Sequence, residues 1–255
     1  MEVTKLHIAV IQVDLFWENP EQNRIQFTQI INALPQNTDL VVLPELFTTG
    51  FTMHIEMAET MKGETILWMQ NLAQQQQVAI VGSIIVSENN NVYNRLLFVH
   101  PNGKMEYYNK RHLFTLAGED KVFTAGNELL VVEYKGWKIC PLICYDLRFP
   151  TWSNNTVNYD LLIYVASWPK KRIAAWDALL KARAIENMSY TIGVNRIGND
   201  ANGIEYSGHS VVLDTLGNTM TAFKPNVEGI QIVTLQKQKQ DNLRASLGFL
   251  KDINQ

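Results

Sequence analysis

The chain has 255 residues, of which 46% are hydrophobic and 18% are charged, so it can build a sizeable apolar core. A formal net charge of -3 argues against a basic surface for nucleic acid or for an anionic membrane. The first 14 residues lack the apolar segment of a signal peptide, and no apolar run approaches the about 20 residues that span a bilayer. We therefore expect a cytoplasmic protein with no nucleic-acid or membrane partner.

The first third of the chain predicts alternating strands and helices. Strand patterns cover residues 5–13, 39–45 and 78–87, and amphipathic helix patterns cover residues 20–34 and 62–77. This β-α-β-α-β order favours a sheet with crossover helices.

The rest of the chain predicts hairpins and further strands around one strong helix at residues 170–188. Turn residues at 101–103, at 135–136 and at 216–218 join successive strands. The remaining strand and hairpin segments are 92–101, 104–114, 129–146, 159–169, 190–198, 207–223 and 229–236. No linker or repeat divides the chain, so we expect one α/β domain over residues 1–255, with mixed sheets and outer helices.

Two cysteines, Cys140 and Cys144, lie on the same predicted strand. At about 3.3 Å per residue they stand roughly 13 Å apart, whereas a disulfide needs Cα atoms within about 7 Å. Both are therefore expected to be reduced thiols. Two cysteines and five scattered histidines give no metal-ligand spacing, so neither a metal nor a cofactor is expected.

Cys144 has the context of a reactive residue. It ends an apolar strand, and strand ends are where α/β folds place their sites. A small buried hydrophobe is the plainer interpretation, and we adopt it for Cys140. A nucleophilic thiol needs activation by a base, and His112 and His209 stay open as partners of a Cys-His hydrolase.

A carboxylate is the other possible base. Glu45 follows an apolar strand that Pro44 closes, a position where an isolated glutamate is commonly a solvated cap. Lys110 ends a predicted strand between aromatic runs, where a cation would stabilise an oxyanion.

Three stretches, "LPELFTTGF", "YNKRHLF" and "CYDLRFPTW", occur in this order. Together they resemble the nitrilase superfamily of carbon–nitrogen hydrolases, and the resemblance extends from "IAVIQVD" to "GIQIVTL". It implies a four-layer α-β-β-α sandwich of two mixed sheets with outer helices, and a homodimer. It also implies a catalytic triad of Glu45, Lys110 and Cys144, with Glu119 of "TLAGEDKVF" as a second glutamate beside Asp120.

Within this superfamily the chain is most similar to the bacterial omega-amidase branch, on "ELFTTGF", "KRHLF" and "CYDLRFP". That resemblance implies hydrolysis of the ω-amide of small dicarboxylic acid monoamides, such as 2-oxoglutaramate or succinamate, through a cysteine acyl-thioester. Tyr145, Arg148 and Trp168 are the expected substrate-binding residues.

A substrate carboxylate would suit an arginine, and Arg148, Arg172 and Arg196 are candidates. Asp146 is expected to form a local ion pair with Arg148. Rival functions are hydrolysis of another aliphatic amide, an N-carbamoyl compound or a nitrile, and a catalytically silent binding scaffold.

Overall fold

A computed structural model describes residues 4–252. The strands are β1 (Lys5–Gln12), β2 (Leu40–Val42), β3 (Ala79–Glu88), β4 (Asn91–Val99), β5 (Met105–Asn109), β6 (Val132–Tyr134), β7 (Trp137–Ile143), β8 (Leu161–Ala166), β9 (Tyr190–Asn195), β10 (Ile197–Asn199), β11 (Glu205–Ser207), β12 (Val211–Leu213) and β13 (Gly229–Gln236). The helices are α1 (Pro20–Asn32), α2 (Glu64–Gln76), α3 (Pro150–Ser153), α4 (Ile173–Glu186) and α5 (Lys237–Leu247).

The strands between residues 4 and 252 form two large mixed sheets and a small ribbon. The six-stranded sheet has the order β13-β1-β2-β3-β4-β5, the five-stranded sheet has the order β12-β9-β8-β7-β6, and β10 pairs with β11. Each large sheet has a parallel centre, β1-β2-β3 in one and β7-β8-β9 in the other, with antiparallel strands outside it. Helices α1, α2, α3 and α4 provide the crossovers that parallel neighbours require.

Alternate residues of the six-stranded sheet lie in two different cores. One face, which includes Ala9, Ile11 and Val41, packs on Phe27 of α1 and Met69 of α2. The other face shares a core with the five-stranded sheet and α4, through Leu6, Ile8, Val42, Ile139, Tyr164, Trp176 and Leu180. The layers are therefore α-β-β-α, which confirms the expected fold class.

Local sequence signals place several ends and turns where they were predicted. Pro20 begins α1, and the side chain of Asn19 accepts a hydrogen bond from the N–H of Gln22. Lys135 and Gly136 both have positive φ, at 48° and 76°, as a two-residue type I′ hairpin turn requires.

Two of the predicted strand segments differ from the structure. Residues 190–198 divide between β9 and β10, which lie in different sheets. The segment 207–223, expected to be a hairpin, contains the last residue of β11 and the strand β12, and its second arm pairs only through one isolated bridge from Leu213 to Thr219. Asp214 closes the turn between the arms by accepting the N–H groups of Leu216 and Asn218.

Helix α5 was not predicted, because its sequence "KQKQDNLRASL" has no apolar stripe. Polar side chains dock it instead: Arg244 donates to the carbonyl oxygens of Tyr159 and Met188, and Gln240 donates to that of Asp160. None of the helices within residues 4–252 is long and apolar enough to cross a membrane.

Candidate active site

A cavity of about 980 Å³ opens where several strands of the two large sheets end. Cys144 follows β7, Ser167 follows β8 and Lys110 follows β5, and all three line it. This agrees with the rule that α/β proteins place their sites at the carboxyl ends of strands. The residues lining the cavity include Trp17, Phe51, His54, Lys110, Phe114, Cys144, Tyr145, Arg148, Ser167, Trp168, Lys170, Lys171, Arg172, Asp200, Glu205 and Tyr206.

Cys144 occupies a strained turn at the end of β7. It is the first residue of a 3₁₀ helix, Cys144–Arg148, and its φ of 43° lies in the left-handed region that non-glycine residues seldom adopt. The N–H of Tyr145, the second residue of that helix, has no intrahelical acceptor, since the first N–H groups of a helix lack one. The turn therefore presents a sulfur and a backbone donor side by side.

The Cys144 thiol is held in its protonated form. Burial raises its pKa well above the ordinary value of 9.0, and the negative charge of Glu45 raises it further, while Lys110 opposes the shift. The Glu45 carboxylate lies close enough to the thiol to affect its pKa through a hydrogen bond as well as through its charge, and the backbone N–H of Ser167 lowers that pKa. An attacking thiolate thus requires a base, and Glu45 is in contact.

Glu45 is fully buried rather than a solvated strand cap. Its Oε1 accepts hydrogen bonds from Lys110 Nζ at 2.8 Å and Asn94 Nδ2 at 2.9 Å, and its Oε2 accepts the N–H of Ser167 at 2.8 Å. The backbone turns sharply after Glu45, where Leu46 has a φ of 45°. The N–H of Leu46 donates to Ser83 Oγ on β3, which fixes the turn to the sheet.

Lys110 lies between two buried carboxylates. Its Nζ donates to Glu45 at 2.8 Å and to both oxygens of Glu119 at 2.9 Å. Burial alone would lower the pKa of this ammonium, but the charges of Glu119 and Glu45 outweigh it and raise the pKa. Lys110 therefore carries its charge into the cavity, beside Cys144.

The structure distinguishes Glu119 from its neighbour Asp120. Glu119 is fully buried and its Oε2 also accepts the N–H of Phe114 at 2.6 Å, whereas Asp120 is exposed. Burial raises the pKa of Glu119; the Lys110 charge opposes this shift, and the charge of Glu45 adds to it. The predicted group of Glu45, Lys110, Glu119 and Cys144 thus converges at one place.

Sequence reasoning missed Asn94 and Ser167. Asn94 Nδ2 donates to Glu45 at 2.9 Å and to Glu119 Oε1 at 3.3 Å, so one amide spans both carboxylates. The available signal was a polar residue inside the apolar strand β4, which by itself does not separate a site residue from an ordinary polar one. Ser167 acts through its backbone N–H, which no residue type reveals.

The expected Asp146–Arg148 ion pair is wrong. Asp146 is fully buried and accepts from Tyr108 Oη at 2.8 Å, from the N–H of Ile143 at 3.1 Å, and from the N–H and Nδ1 of His112 at 3.0 and 2.8 Å. It therefore ties the turn of Cys144 to the segment that carries Lys110.

The three expected substrate-binding residues, Tyr145, Arg148 and Trp168, all line the cavity, and Arg172 joins them. Arg196 does not suit a substrate carboxylate, because it is buried and its guanidinium donates to Asp14 Oδ1 at 2.6 Å and to the carbonyl oxygen of Ile197.

The two candidate histidines are engaged elsewhere. His112 bonds to Asp146 and stacks on Phe149, with ring centroids 3.7 Å apart, and His209 lies against Asp177 at 3.1 Å. Neither lines the cavity of Cys144. The geometry therefore favours the carboxylate over a histidine as the partner of the thiol. Among residues 4–252 no three His, Cys, Asp or Glu side chains are grouped so as to hold a metal ion.

An α-β-β-α sandwich with a buried carboxylate, ammonium and thiol agrees with a match between residues 7–245 and the family model for carbon-nitrogen hydrolases. The chain belongs to this family, which confirms the resemblance seen in its motifs.

Particular relatives narrow the comparison. The chain is 42% identical to omega-amidase YafV of Yersinia enterocolitica, over 88% of this chain and 87% of that protein. It is 33% identical to 2-oxoglutaramate amidase of Bacillus subtilis, over 98% of each. Its fold matches the crystal structure of a CN-hydrolase superfamily protein from Xanthomonas campestris with an arsenic adduct in the active site, with a TM-score of 0.95, 39% identity and 97% of each chain covered.

Proposed function

We propose that this carbon–nitrogen hydrolase is an omega-amidase, which hydrolyses the ω-amide of small dicarboxylic acid monoamides such as 2-oxoglutaramate or succinamate and releases ammonia. The observation that carries the proposal is the grouping of Cys144, Glu45 and Lys110: Glu45 bonds to Lys110 and lies beside the thiol, and Cys144 and Lys110 line one cavity. The names of the omega-amidase and 2-oxoglutaramate amidase relatives support the choice of substrate.

In the first half-reaction, Glu45 takes the proton of the Cys144 thiol as the sulfur attacks the amide carbon. The negative charge that develops on the amide oxygen is held by Lys110 Nζ and the N–H of Tyr145. Protonated Glu45 then gives its proton to the departing nitrogen. Ammonia leaves, and an acyl-thioester remains on Cys144.

In the second half-reaction, Glu45 accepts a proton from a water molecule that attacks the thioester carbonyl. The same two donors hold the second oxyanion, and its collapse releases the carboxylic acid and returns the proton to the sulfur. One base serves both steps, so the reaction requires no cofactor.

Glu119 and Asn94 keep the base and the ammonium in place. Glu119 holds Lys110 with both of its carboxylate oxygens, and Asn94 bridges Glu119 and Glu45. Because Glu119 holds Lys110 with both oxygens, the position of the ammonium does not depend on Glu45 alone, and Glu45 can transfer its proton.

The experiment is ammonia release from 2-oxoglutaramate, succinamate, a neutral aliphatic amide, an N-carbamoyl amino acid and a nitrile, with the purified chain and with Cys144→Ala. We expect the two ω-amides to be preferred, and the variant to lose on the order of 10³-fold or more in kcat. Unchanged turnover by Cys144→Ala would show that Cys144 is not the nucleophile. A purified chain that is inactive on every compound would favour the function of a binding scaffold.

We further propose that residues 1–255 form a single hydrolase domain that works as a cytoplasmic homodimer on a small-molecule amide. The family resemblance of the motifs supports the dimer. Light scattering on the purified chain tests it, since the mass expected for a monomer is 29.1 kDa.

A further inference from the structure

The backbone group that anchors the catalytic base lies at the end of β8. Ala166 is the last residue of this strand, and the next N–H, that of Ser167, donates to Glu45 Oε2 at 2.8 Å. The other carboxylate oxygen, Oε1, is held by Lys110 and Asn94. The plane of the Glu45 carboxylate therefore depends on the path of the chain as it leaves β8.

A side chain of the neighbouring strand β9 holds the backbone at this point. Asn195, the last residue of β9, accepts the N–H of Trp168 with its Oδ1 at 2.7 Å, and its Nδ2 donates to the carbonyl oxygen of Trp168 at 3.0 Å. We call such a pair of bonds to the N–H and the carbonyl oxygen of one residue a backbone clamp. Nδ2 also donates to the carbonyl oxygen of Gly208 at 2.8 Å, so the buried amide uses both of its donor hydrogens. Ser167 therefore lies between the end of a strand and a clamped residue.

A second backbone clamp holds Asn195 itself. Ser210 Oγ accepts the N–H of Asn195 at 3.0 Å and donates to its carbonyl oxygen at 3.1 Å. The N–H of Ser210 donates in turn to Oε1 of Gln12, a fully buried side chain at the end of β1. These three polar side chains form a series from the six-stranded sheet to the five-stranded sheet, and Asn195 is the member next to the site.

The clamping side chains lie behind the cavity wall. Ser167 and Trp168 line the cavity, whereas Asn195 and Ser210 are not among its lining residues. Asn195 can therefore influence the reaction only through the backbone that it holds. The N–H of Ser167 also lowers the pKa of the Cys144 thiol, so displacement of this backbone alters the nucleophile as well as the base.

We propose that Asn195 is a positioning residue: by clamping the residue after Ser167, it keeps the N–H of Ser167 on Glu45 Oε2 and thereby directs the catalytic carboxylate. This inference rests on the proposed function and deepens it. Without the clamp, Glu45 keeps its two bonds at Oε1 but loses the bond that fixes its plane. Misplacement of a catalytic group by about 1 Å costs roughly 10²-fold in rate.

The test is the kinetics of Asn195→Ala on 2-oxoglutaramate, beside the alkylation of its Cys144 by iodoacetamide, located by mass spectrometry. We expect kcat to fall roughly 10- to 100-fold, while KM stays within about twofold because Asn195 does not line the cavity. The alkylation rate at pH 8 should also fall, by up to about tenfold, because loss of the Ser167 N–H raises the thiol pKa. Ser210→Ala removes one oxygen from the second clamp, and we expect a loss of about 3- to 10-fold in kcat with slower alkylation.

Asn155→Ala is the matched control at the opposite end of β8. Asn155 is also buried and clamps Tyr159 in the same way, accepting its N–H at 2.8 Å and donating to its carbonyl oxygen at 2.9 Å. The six residues of β8 separate the two clamps by about 20 Å. We expect both asparagine variants to lose stability to urea, but Asn155→Ala should keep kcat within about twofold and the alkylation rate of the parent chain.

Asn195→Ala with the kcat and the alkylation rate of the parent chain would overturn the positioning role. Equal losses of kcat in the two asparagine variants would overturn it as well, since kcat would then follow stability alone. Ser210→Ala decides the question if Asn195→Ala does not fold, because parent-like values in both measurements would contradict the series of clamps. A parent chain that releases no ammonia would contradict the proposed function, whereas slower alkylation of Asn195→Ala than of Asn155→Ala would still support the effect of the clamp on the thiol.

Discussion

Asp146 Oδ2 accepts a hydrogen bond from Tyr108 Oη at 2.8 Å, and this bond joins the turn that bears the nucleophile to the strand that leads into Lys110. Tyr108 Oη also accepts from the N–H of Arg111 and from Trp152 Nε1. The segments that carry Cys144 and Lys110 are therefore held in a common register by these polar bonds.

Asp146→Asn is expected to weaken this register. Asparagine cannot accept at both oxygens, so a buried donor among Tyr108, Ile143 and His112 is left without its partner, at a cost of about 1–3 kcal/mol in the free energy of unfolding. We expect kcat to fall in parallel, since the distance between Lys110 and Cys144 is no longer fixed. Urea unfolding and steady-state kinetics measure both quantities.

Tyr108→Phe removes the same bond from its other end and leaves the other bonds of Asp146 intact. It also leaves the N–H of Arg111 and Trp152 Nε1 without this acceptor, so we expect a loss of stability of the same order. Asp146→Asn with full stability and full kcat would contradict the positioning role.

Glu119 and Asp120 offer a matched pair of neighbouring carboxylates, one buried on Lys110 and one exposed. Glu119→Gln removes a charge that holds Lys110, and we expect a loss of roughly 10²-fold or more in kcat. Asp120→Asn removes the same charge one residue away and should leave kcat within about twofold, as for most surface substitutions. Equal kinetics for the two variants would show that the second glutamate has no part in the reaction.

The sequence predicts the site better than it predicts the contacts that hold the site together. The strands that precede Glu45, Lys110 and Cys144 have clear strand patterns in the sequence, and the motifs around these residues identify the family. The choice of Glu119 over Asp120 depends on how the loop after β5 turns inward, which adjacent acidic residues do not reveal. The bonds of Asp146 to Tyr108 and His112 join residues more than thirty positions apart.

The fold shows the same limit. Strands and helices with strong apolar periodicity were predicted, because burial of a hydrophobic face dictates both pattern and structure. Helix α5 was missed since Arg244 and Gln240 anchor it through hydrogen bonds to distant carbonyl groups, and a polar anchor leaves no periodic signal.

Alkylation of Cys144 separates the two effects of Glu45. The carboxylate raises the pKa of the thiol, whereas Lys110 lowers it. Glu45→Gln is therefore expected to increase the thiolate fraction near pH 7, and with it the rate of reaction with iodoacetamide, while amide hydrolysis falls by about 10²-fold or more.

The measurement is the pH profile of the alkylation rate, followed by mass spectrometry, beside the kcat of each protein. Lys110→Met supplies the opposite control, because loss of the ammonium should move the thiol pKa further up. If Glu45→Gln shifted the profile to higher pH, the charge of Glu45 would not be what keeps the thiol protonated.

Alkaline pH should destabilise the fold from about pH 9 upward. Burial raises the pKa of both cysteines above their ordinary 9.0, and burial raises those of Tyr108, Tyr159 and Tyr164 above their ordinary 10.0. A group whose pKa is raised in the folded state stabilises it fully below the unfolded-state pKa, and this contribution is lost as the pH rises toward the folded-state value. Each such group adds about 1.4 kcal/mol per pH unit to the loss within that window.

Cys140→Ala tests this account away from the active site, since Cys140 is fully buried and takes no part in the proposed reaction. The variant loses some stability at every pH, because a small cavity replaces the sulfur. Above pH 9 its stability should nevertheless decline less steeply than that of the parent chain, by a difference that approaches about 1.4 kcal/mol per pH unit once the unfolded-state thiol is fully ionised. Urea unfolding at a series of pH values measures the two slopes, and parallel curves would show that the buried Cys140 thiol does not contribute to the alkaline transition.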